Sequence, residues 1–223
     1  MELVPKKYWS SSSCRRVQER FGIPPDLQIL DDNYHHDVVA SLPNSEKRGR
    51  PDIVHYALLD IVSTPAYLSE RVRVFIHTIN GHTISIGSHV RLPRTEIRFY
   101  GVMSKILSNR LEPQEHVFFQ VKMDQSFEEL VNEVNPSQTI CLSREGILRN
   151  LRDFIGRLSI TPSWTDTLWV VGGFPRGHFT EETKSQTDQI ISISSFPLAA
   201  HVVTARLCYE IEMLTIARGN SKL

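Results

Sequence analysis

Three groups of residues in this chain have types and spacings suited to chemistry. The first is Gly172-Gly173-Phe174-Pro175-Arg176-Gly177, which leaves the apolar segment Leu168–Val171. Glycines let a ligand approach the main chain closely. A second loop of small residues, around Ser194, Ser195 and Pro197, follows another apolar segment, Gln189–Ile193. In open α/β sheets, ligands lie beyond the carboxyl ends of the strands. The two loops therefore describe either a cofactor pocket made mostly of backbone or two ordinary tight turns. The second group is Arg91, Arg94 and Arg98, spaced by three and four residues. If the turn before the helix is tight, all three project to one side. Guanidinium groups suit bidentate phosphate contacts and stacking on bases; the plainer reading is a solvated helix face. The third is Arg50-Pro51-Asp52 with His55. Asp52 can accept a proton or hold an arginine in place, while as a bare helix start it is an N-terminal acid beside a first-turn proline.

Asp31-Asp32-Asn33-Tyr34-His35-His36 is rich in ligand types. Adjacent histidines diverge on a strand and on a helix, so a hydrogen-bonded loop or helix start is the better reading, and no metal is assigned. GxSxG, HExxH, GxGxxG and a P-loop lysine are all missing, which leaves hydrolase, zinc-protease, kinase and classical dinucleotide-binding readings without support.

The elements that must position these groups follow from pattern. The chain has 223 residues, 40% hydrophobic and 22% charged, which is a globular composition. No run approaches the roughly 20 apolar residues of a membrane span, and the amino-terminal stretch has no apolar region of a secretory signal. Cys14, Cys141 and Cys208 are odd in number and far apart, which points to free thiols in a reducing compartment and a cytoplasmic location. Ser221-Lys222-Leu223 matches a peroxisomal address, but three residues match by chance and nothing else supports it. Formal net charge is zero, yet charge is segregated. Residues 88–110 hold five bases and one acid, a balance of +4, and residues 111–133 hold six acids and one base, a balance of −5. Such a protein can still present a basic face to phosphate.

The spacing predicts a helix over Arg15–Phe21 capped by the Ser10–Ser13 run, a short strand at Leu27–Leu30, and a helix from Pro51 with Val54, Leu58 and Ile61 on one face. Arg71–Thr78 and His82–Ile86 read as a hairpin about Asn80-Gly81. Glu96–Ser108 reads as a helix burying Phe99, Met103, Ile106 and Leu107. Strands follow at His116–Met123 and Thr139–Leu142, with a helix to Val134 between them that opens on a Ser126/Glu129 capping box. A helix at Ile147–Leu158, with Leu148, Leu151 and Ile155 inward, and a last helix from about Pro197 to Ala217 complete the pattern. Strands alternating with helices indicate an α/β fold with a mainly parallel sheet, in one domain over residues 1–223. The hairpin region, residues 71–95, is expected at the edge of that sheet or outside it.

Taken together, these pieces resemble the pseudouridine N1-methyltransferases of ribosome biogenesis, an outlying branch of the SPOUT class. The resemblance lies in Asp31–His36, Arg50-Pro51-Asp52-Ile53-Val54-His55, Ile76-His77-Thr78, Arg91-Leu92-Pro93-Arg94 with Arg98–Met103, Gly172–Gly177 and Ile191–Leu198, in the same order across nearly the whole chain. The short form is archaeal in type. The resemblance implies a C-terminal trefoil knot, a homodimer, and S-adenosylmethionine bound by Thr78, by Gly172, Gly173, Phe174 and Gly177, and by Ile193, Ser194, Phe196 and Leu198. It implies an RNA surface of Arg50, Arg91, Arg94 and Arg98, with small-subunit rRNA and a small-subunit ribosomal protein as partners. The product would be N1-methylpseudouridine, and the catalytic residues Asp52 and Arg50. Asp52 would either take the N1 proton or fix Arg91 or Arg94. It also leads one to expect an apolar strand ahead of Glu2-Leu3-Val4-Pro5 and a Pro-rich pattern where Tyr67-Leu68 stands. The alternatives are a SPOUT ribose 2′-O-methyltransferase and a non-catalytic rRNA-binding assembly factor.

Overall fold

The computed structural model describes residues 1–217, so Ser221-Lys222-Leu223 lies outside the described residues. Two three-stranded sheets organise the chain. The first helix, α1 (Ser12–Phe21), begins where the Ser11 hydroxyl accepts the Cys14 amide and ends at Gly22, whose φ of 69° is left-handed. It packs Cys14 against Leu30, Val38 and Val39, the last two on α2 (Asp32–Ala40). The Asp31 carboxylate caps α2 by accepting the Asn33 amide at 2.9 Å, so the Asp31–His36 cluster is a helix start. Both ring nitrogens of His35 are engaged by protein, one by the Asp31 amide and one by Gln28, while exposed His36 pairs with Asp32. The strand expected at Leu27–Leu30 is reduced to one bridge, Ile29 opposite Leu3, because Pro25 draws the preceding residues into a 3₁₀ turn.

Helix α3 (Pro51–Val62) follows with proline at its first position, then α4 (Pro65–Leu68), where Tyr67 is buried and its hydroxyl donates to the Gly87 carbonyl. The hairpin of β1 (Val74–His77) and β2 (Thr83–Ile86) lies outside the parallel sheet, and Gly81 takes a φ of 72° at its turn. Against β2, antiparallel, runs β3 (Phe119–Lys122). Helix α5 (Glu96–Leu107) fully buries Phe99, Met103 and Ile106 beside Ile76 and Ile84. Helix α6 (Phe127–Val134) carries the Ser126/Glu129 capping box in both directions.

The parallel sheet has the order β5-β4-β6, with β4 (Gln138–Leu148) central, β5 (Thr167–Val171) and β6 (Gln189–Ser192). Between the last two lies the short α8 (Glu181–Ser185). Helices α7 (Leu151–Leu158) and α9 (Ala200–Ala217) cover Ile140, Ile155, Ile191 and Leu207, and α9 also packs along α3. The edge strands β1 and β5 line opposite parts of an apolar cavity of about 970 Å³.

Several boundaries differ from pattern; residues 116 and 117, expected in a strand, close a 3₁₀ turn ahead of β3. Residues 147 and 148 belong to β4, not to a helix, and Leu148 is 58% exposed instead of inward. Strand β4 continues through a register shift between Leu142 and Ile147, and Asn150 caps α7 only afterwards. The last helix begins at Ala200, since Phe196 donates its amide to the Ser194 hydroxyl and the segment after Pro197 stays extended.

Gly146 separates the two assignments by experiment. A Cβ there would lie 2.5 Å from the Ile190 carbonyl carbon and oxygen. Gly146→Ala is expected to lower stability by about 2 kcal/mol through forced strand separation, read as a fall in Tm. Were residues 147–158 a helix, residue 146 would lie just ahead of it and the same change would leave stability within about 0.5 kcal/mol.

Candidate active site

The first turn of α3 gathers much of the predicted site. Arg50 precedes the helix and closes a two-bond ion pair on Asp52, Nε to Oδ1 at 2.8 Å and Nη2 to Oδ2 at 2.7 Å. The Asp52 side chain is 16% exposed and that of Arg50 46%. The guanidinium holds the Asp52 carboxyl below the ordinary carboxylate range, against the opposing effect of burial. A carboxylate so held is a poor base near neutral pH. Its partner is Arg50, two residues away, and not Arg91 or Arg94, so the expectation that Asp52 fixes one of those arginines is corrected. The chain geometry at Pro51 favours the nearer partner.

One turn on, His55 is fully buried and lies flat on Phe99, ring centroids 4.1 Å apart and 17° from parallel. Its Nε2 donates to the Pro93 carbonyl at 2.8 Å. Tyr56 donates to Glu96 at 2.8 Å. These contacts set the Arg91–Arg94 segment and the start of α5 beside α3. Arg91, Arg94 and Arg98 are exposed and carry no ion pair among the described residues. The other bases of that stretch are engaged, Lys105 by Glu115 and Arg110 by Asp26. Within that stretch the positive charge left unpaired is therefore the three arginines.

The glycine-rich loop meets α3 at the neighbouring residue, Val54. A Cβ on Gly173 would come 3.1 Å from Val54 Cγ2, and one on Gly172 would come 3.0 Å from the Phe174 ring. Gly177 has a φ of 87° and Lys47 against it, and the Lys47 ammonium stands 5.6 Å from the Phe174 ring centre. A second cavity, about 200 Å³, is lined by Gly172, Phe174, Gly177, Ile193, Ser194, Phe196 and Leu198, seven of the nine residues expected to hold a cofactor. Gly173 and Thr78 line the larger cavity instead, and Gly172 and Phe174 form a wall common to both. Thr78 is largely committed to its own hairpin. Its amide donates to the His82 carbonyl, its carbonyl accepts from Gly81, and its hydroxyl accepts the His82 amide. The hydroxyl proton is the one donor it keeps for a ligand. Phe196, 74% exposed, stands at the mouth.

The lining of the small cavity suits part of a nucleoside-type methyl donor, and its volume of about 200 Å³ is too small to hold the whole of one. It joins apolar walls to loop backbone, bears no carboxylate of its own, and adds Arg144 and Arg176 for an anionic end. Sequence reasoning passed over Arg144, Val54 and Lys47, which reach the site only by folding. Lys47, in a charged loop ahead of Pro51, was the one with a visible signal. Glu145 accepts from Lys184 at 3.0 Å and lies 3.5 Å from His178, which ties β4 and α8 to the end of the glycine loop.

Comparison with known proteins places these features in a group. The sequence model of the EMG1/NEP1 methyltransferase family matches residues 1–212. Ribosomal RNA small subunit methyltransferase Nep1 of Thermococcus sibiricus is 30% identical over 213 residues, covering 95% of this chain and 93% of that protein. The protein of the same name from Sulfurisphaera tokodaii is 34% identical over 221 residues, covering 93% and 90%. Among solved structures, Archaeoglobus fulgidus Nep1 bound to S-adenosylhomocysteine has a TM-score of 0.80 and 29% identity, covering 96% of this chain and 94% of that one.

The ion pair at the start of α3 has a direct titration test. The Asp52 carboxyl carbon, followed by NMR, is expected to titrate below the ordinary Asp value of about 3.9 and to return toward it in Arg50→Gln. Because the folded-state value is lowered, the pair stabilises the fold at neutral pH, and that contribution is lost as pH falls through the lowered midpoint.

Proposed function

The chain belongs to the EMG1/NEP1 methyltransferase family, and on that premise we propose that it methylates N1 of a pseudouridine in small-subunit rRNA. The reaction is a methyl transfer dependent on S-adenosylmethionine, the reading that the relatives' name and the S-adenosylhomocysteine-bound neighbour support. The observation that carries the reading is the meeting, at one helix start, of unpaired arginines on one side and a glycine-lined cavity on the other.

When bound, S-adenosylmethionine supplies an electrophilic methyl group. Gly172, Gly173, Phe174, Gly177, Ile193, Ser194, Phe196 and Leu198 would hold it, with the hydroxyl of Thr78 at the far side of the shared wall. The protein's part in the chemistry is placement. Pseudouridine bears a ring N–H where uridine has its glycosidic bond, so only the isomerised base offers a nitrogen there. To present it, the target must leave its stack, which favours a loop nucleotide. Arg91, Arg94 and Arg98 would grip the phosphates on either side. Arg50, held by Asp52, would contact the target base and bind it alike before and during transfer, while N1 loses its proton to water. In this reading Asp52 is a positioning residue, since its pairing leaves it little basicity. We assign the working unit as a homodimer. Residues 71–95 are read as its RNA-facing hairpin region, and the chain after β4 as a knot about the cofactor, with rRNA as substrate and a small-subunit ribosomal protein as a further partner.

Two measurements test this. Matched stem-loop RNAs carrying uridine or pseudouridine at one loop position, incubated with labelled S-adenosylmethionine, are expected to show label in the pseudouridine RNA alone. Equal transfer to both, or label on ribose, would overturn the N1 assignment in favour of ribose methylation. Asp52→Asn should raise KM for RNA by about tenfold and leave kcat within about twofold, the pattern of lost binding. A collapse of kcat at unchanged KM would instead make Asp52 the proton acceptor.

A further inference from the structure

We infer that His55 is a positioning residue for the RNA face, setting the Arg91–Arg94 segment in register with Arg50. The inference rests on the RNA-binding part of the functional reading. Its first support is an accounting of hydrogen bonds. The segment from Arg91 to Arg94 has no regular secondary structure. Among the described residues, its one hydrogen bond to the rest of the protein is the one from His55 Nε2 to the Pro93 carbonyl. Otherwise it is anchored through buried Leu92. The loop is tied at its start, where buried Val90 donates its amide to the Tyr67 hydroxyl, and the directed N–H···O bond to Pro93, between two arginines, fixes the carbonyl and the turn further along.

The second support is that an imidazole is a poor choice for stability alone at this place. The ring is fully buried, stacks on Phe99 and leaves Nδ1 without a hydrogen-bond partner. A buried polar atom with no partner is unfavourable, and an apolar ring of similar shape would fill the site without that defect. What histidine adds is the N–H aimed at Pro93. The third support is position. His55 lies one helical turn after Arg50 and Asp52, and Phe99, beneath its ring, is next to Arg98. One side chain thus touches both elements that carry the arginines and belongs to the helix that carries the Arg50–Asp52 pair.

The test uses His55→Phe, which keeps the stacked ring and removes the donor, and His55→Gln, whose amide restores an N–H. Binding of a pseudouridine-bearing stem-loop RNA, steady-state transfer and calorimetry with S-adenosylmethionine are measured for each. For His55→Phe, Kd and KM for RNA are expected to rise roughly three- to tenfold, the range of one hydrogen bond. In the same variant kcat and cofactor affinity should stay within about twofold. His55→Gln should recover most of the RNA affinity. A folded His55→Phe protein that binds RNA as the wild type does would overturn the inference. So would parallel losses of RNA and cofactor binding, or a folded His55→Gln no better than His55→Phe. Should His55→Phe fail to fold, His55→Asn, too short to reach Pro93, is read by the same criteria. A wild-type protein that binds RNA without methylating it would defeat the functional reading, yet the Kd comparison would still decide the role of His55. A wild-type protein that binds no RNA would overturn both.

Discussion

The start of helix α3 is the constraint on which the rest depends. Within six residues it carries an ion pair (Arg50 with Asp52), a van der Waals stop against the glycine loop (Val54 with Gly173) and a buried donor to the arginine loop (His55 with Pro93). Proline at the first helical position fixes the entry to the helix. Consecutive helical residues point in different directions, so one short turn can address three neighbours at once. The long helix α9 packs against α3 from the C-terminal half, so displacement of this turn would be felt in both sheets.

Electrostatics add selectivity by subtraction. The +4 balance of residues 88–110 overstates what an anion would meet, because Lys105 and Arg110 are consumed by Glu115 and Asp26. Lys122 is likewise taken by Glu133. Exposed pairs of this kind contribute little stability, but within this stretch they leave Arg91, Arg94 and Arg98 as the unpaired cations that we propose bind phosphate. The net charge of zero is therefore compatible with nucleic acid as partner, and binding is expected to weaken with salt as phosphate contacts do.

The side we propose for the cofactor combines loop backbone with aromatic and aliphatic side chains, and its glycines are where close approach governs. Gly172 and Gly173 sit where a Cβ would crowd Phe174 or Val54, and Gly177 adopts a left-handed angle that side chains resist. The strands beneath are rigid for ordinary reasons. Ile140 and Ile191 are buried, and the burial that shelters Cys141 pushes its thiol up to about 12, which leaves it inert.

Much of this was legible in the chain itself. The Ser126/Glu129 capping box, the Asn80-Gly81 turn, the buried face of α5 and the helix beginning at Pro51 are local, decided by residues within a few positions of one another. Local preference also named the arginines and the glycine loop. Pattern failed where a contact between distant segments prevailed. Residues 147 and 148 suited a helix, yet Gly146 admits the Ile190 backbone and β4 runs on. The hairpin's partner β3 and the pairing of Lys105 with Glu115 are likewise choices made between separated stretches. By itself the sequence determined which groups could bind phosphate and which loops could admit a ligand, because those are properties of residue type and short-range angle. Only tertiary structure decided that His55 reaches Pro93 and that Val54 meets Gly173. Those facts depend on which surfaces close on one another, and no spacing along the chain encodes that.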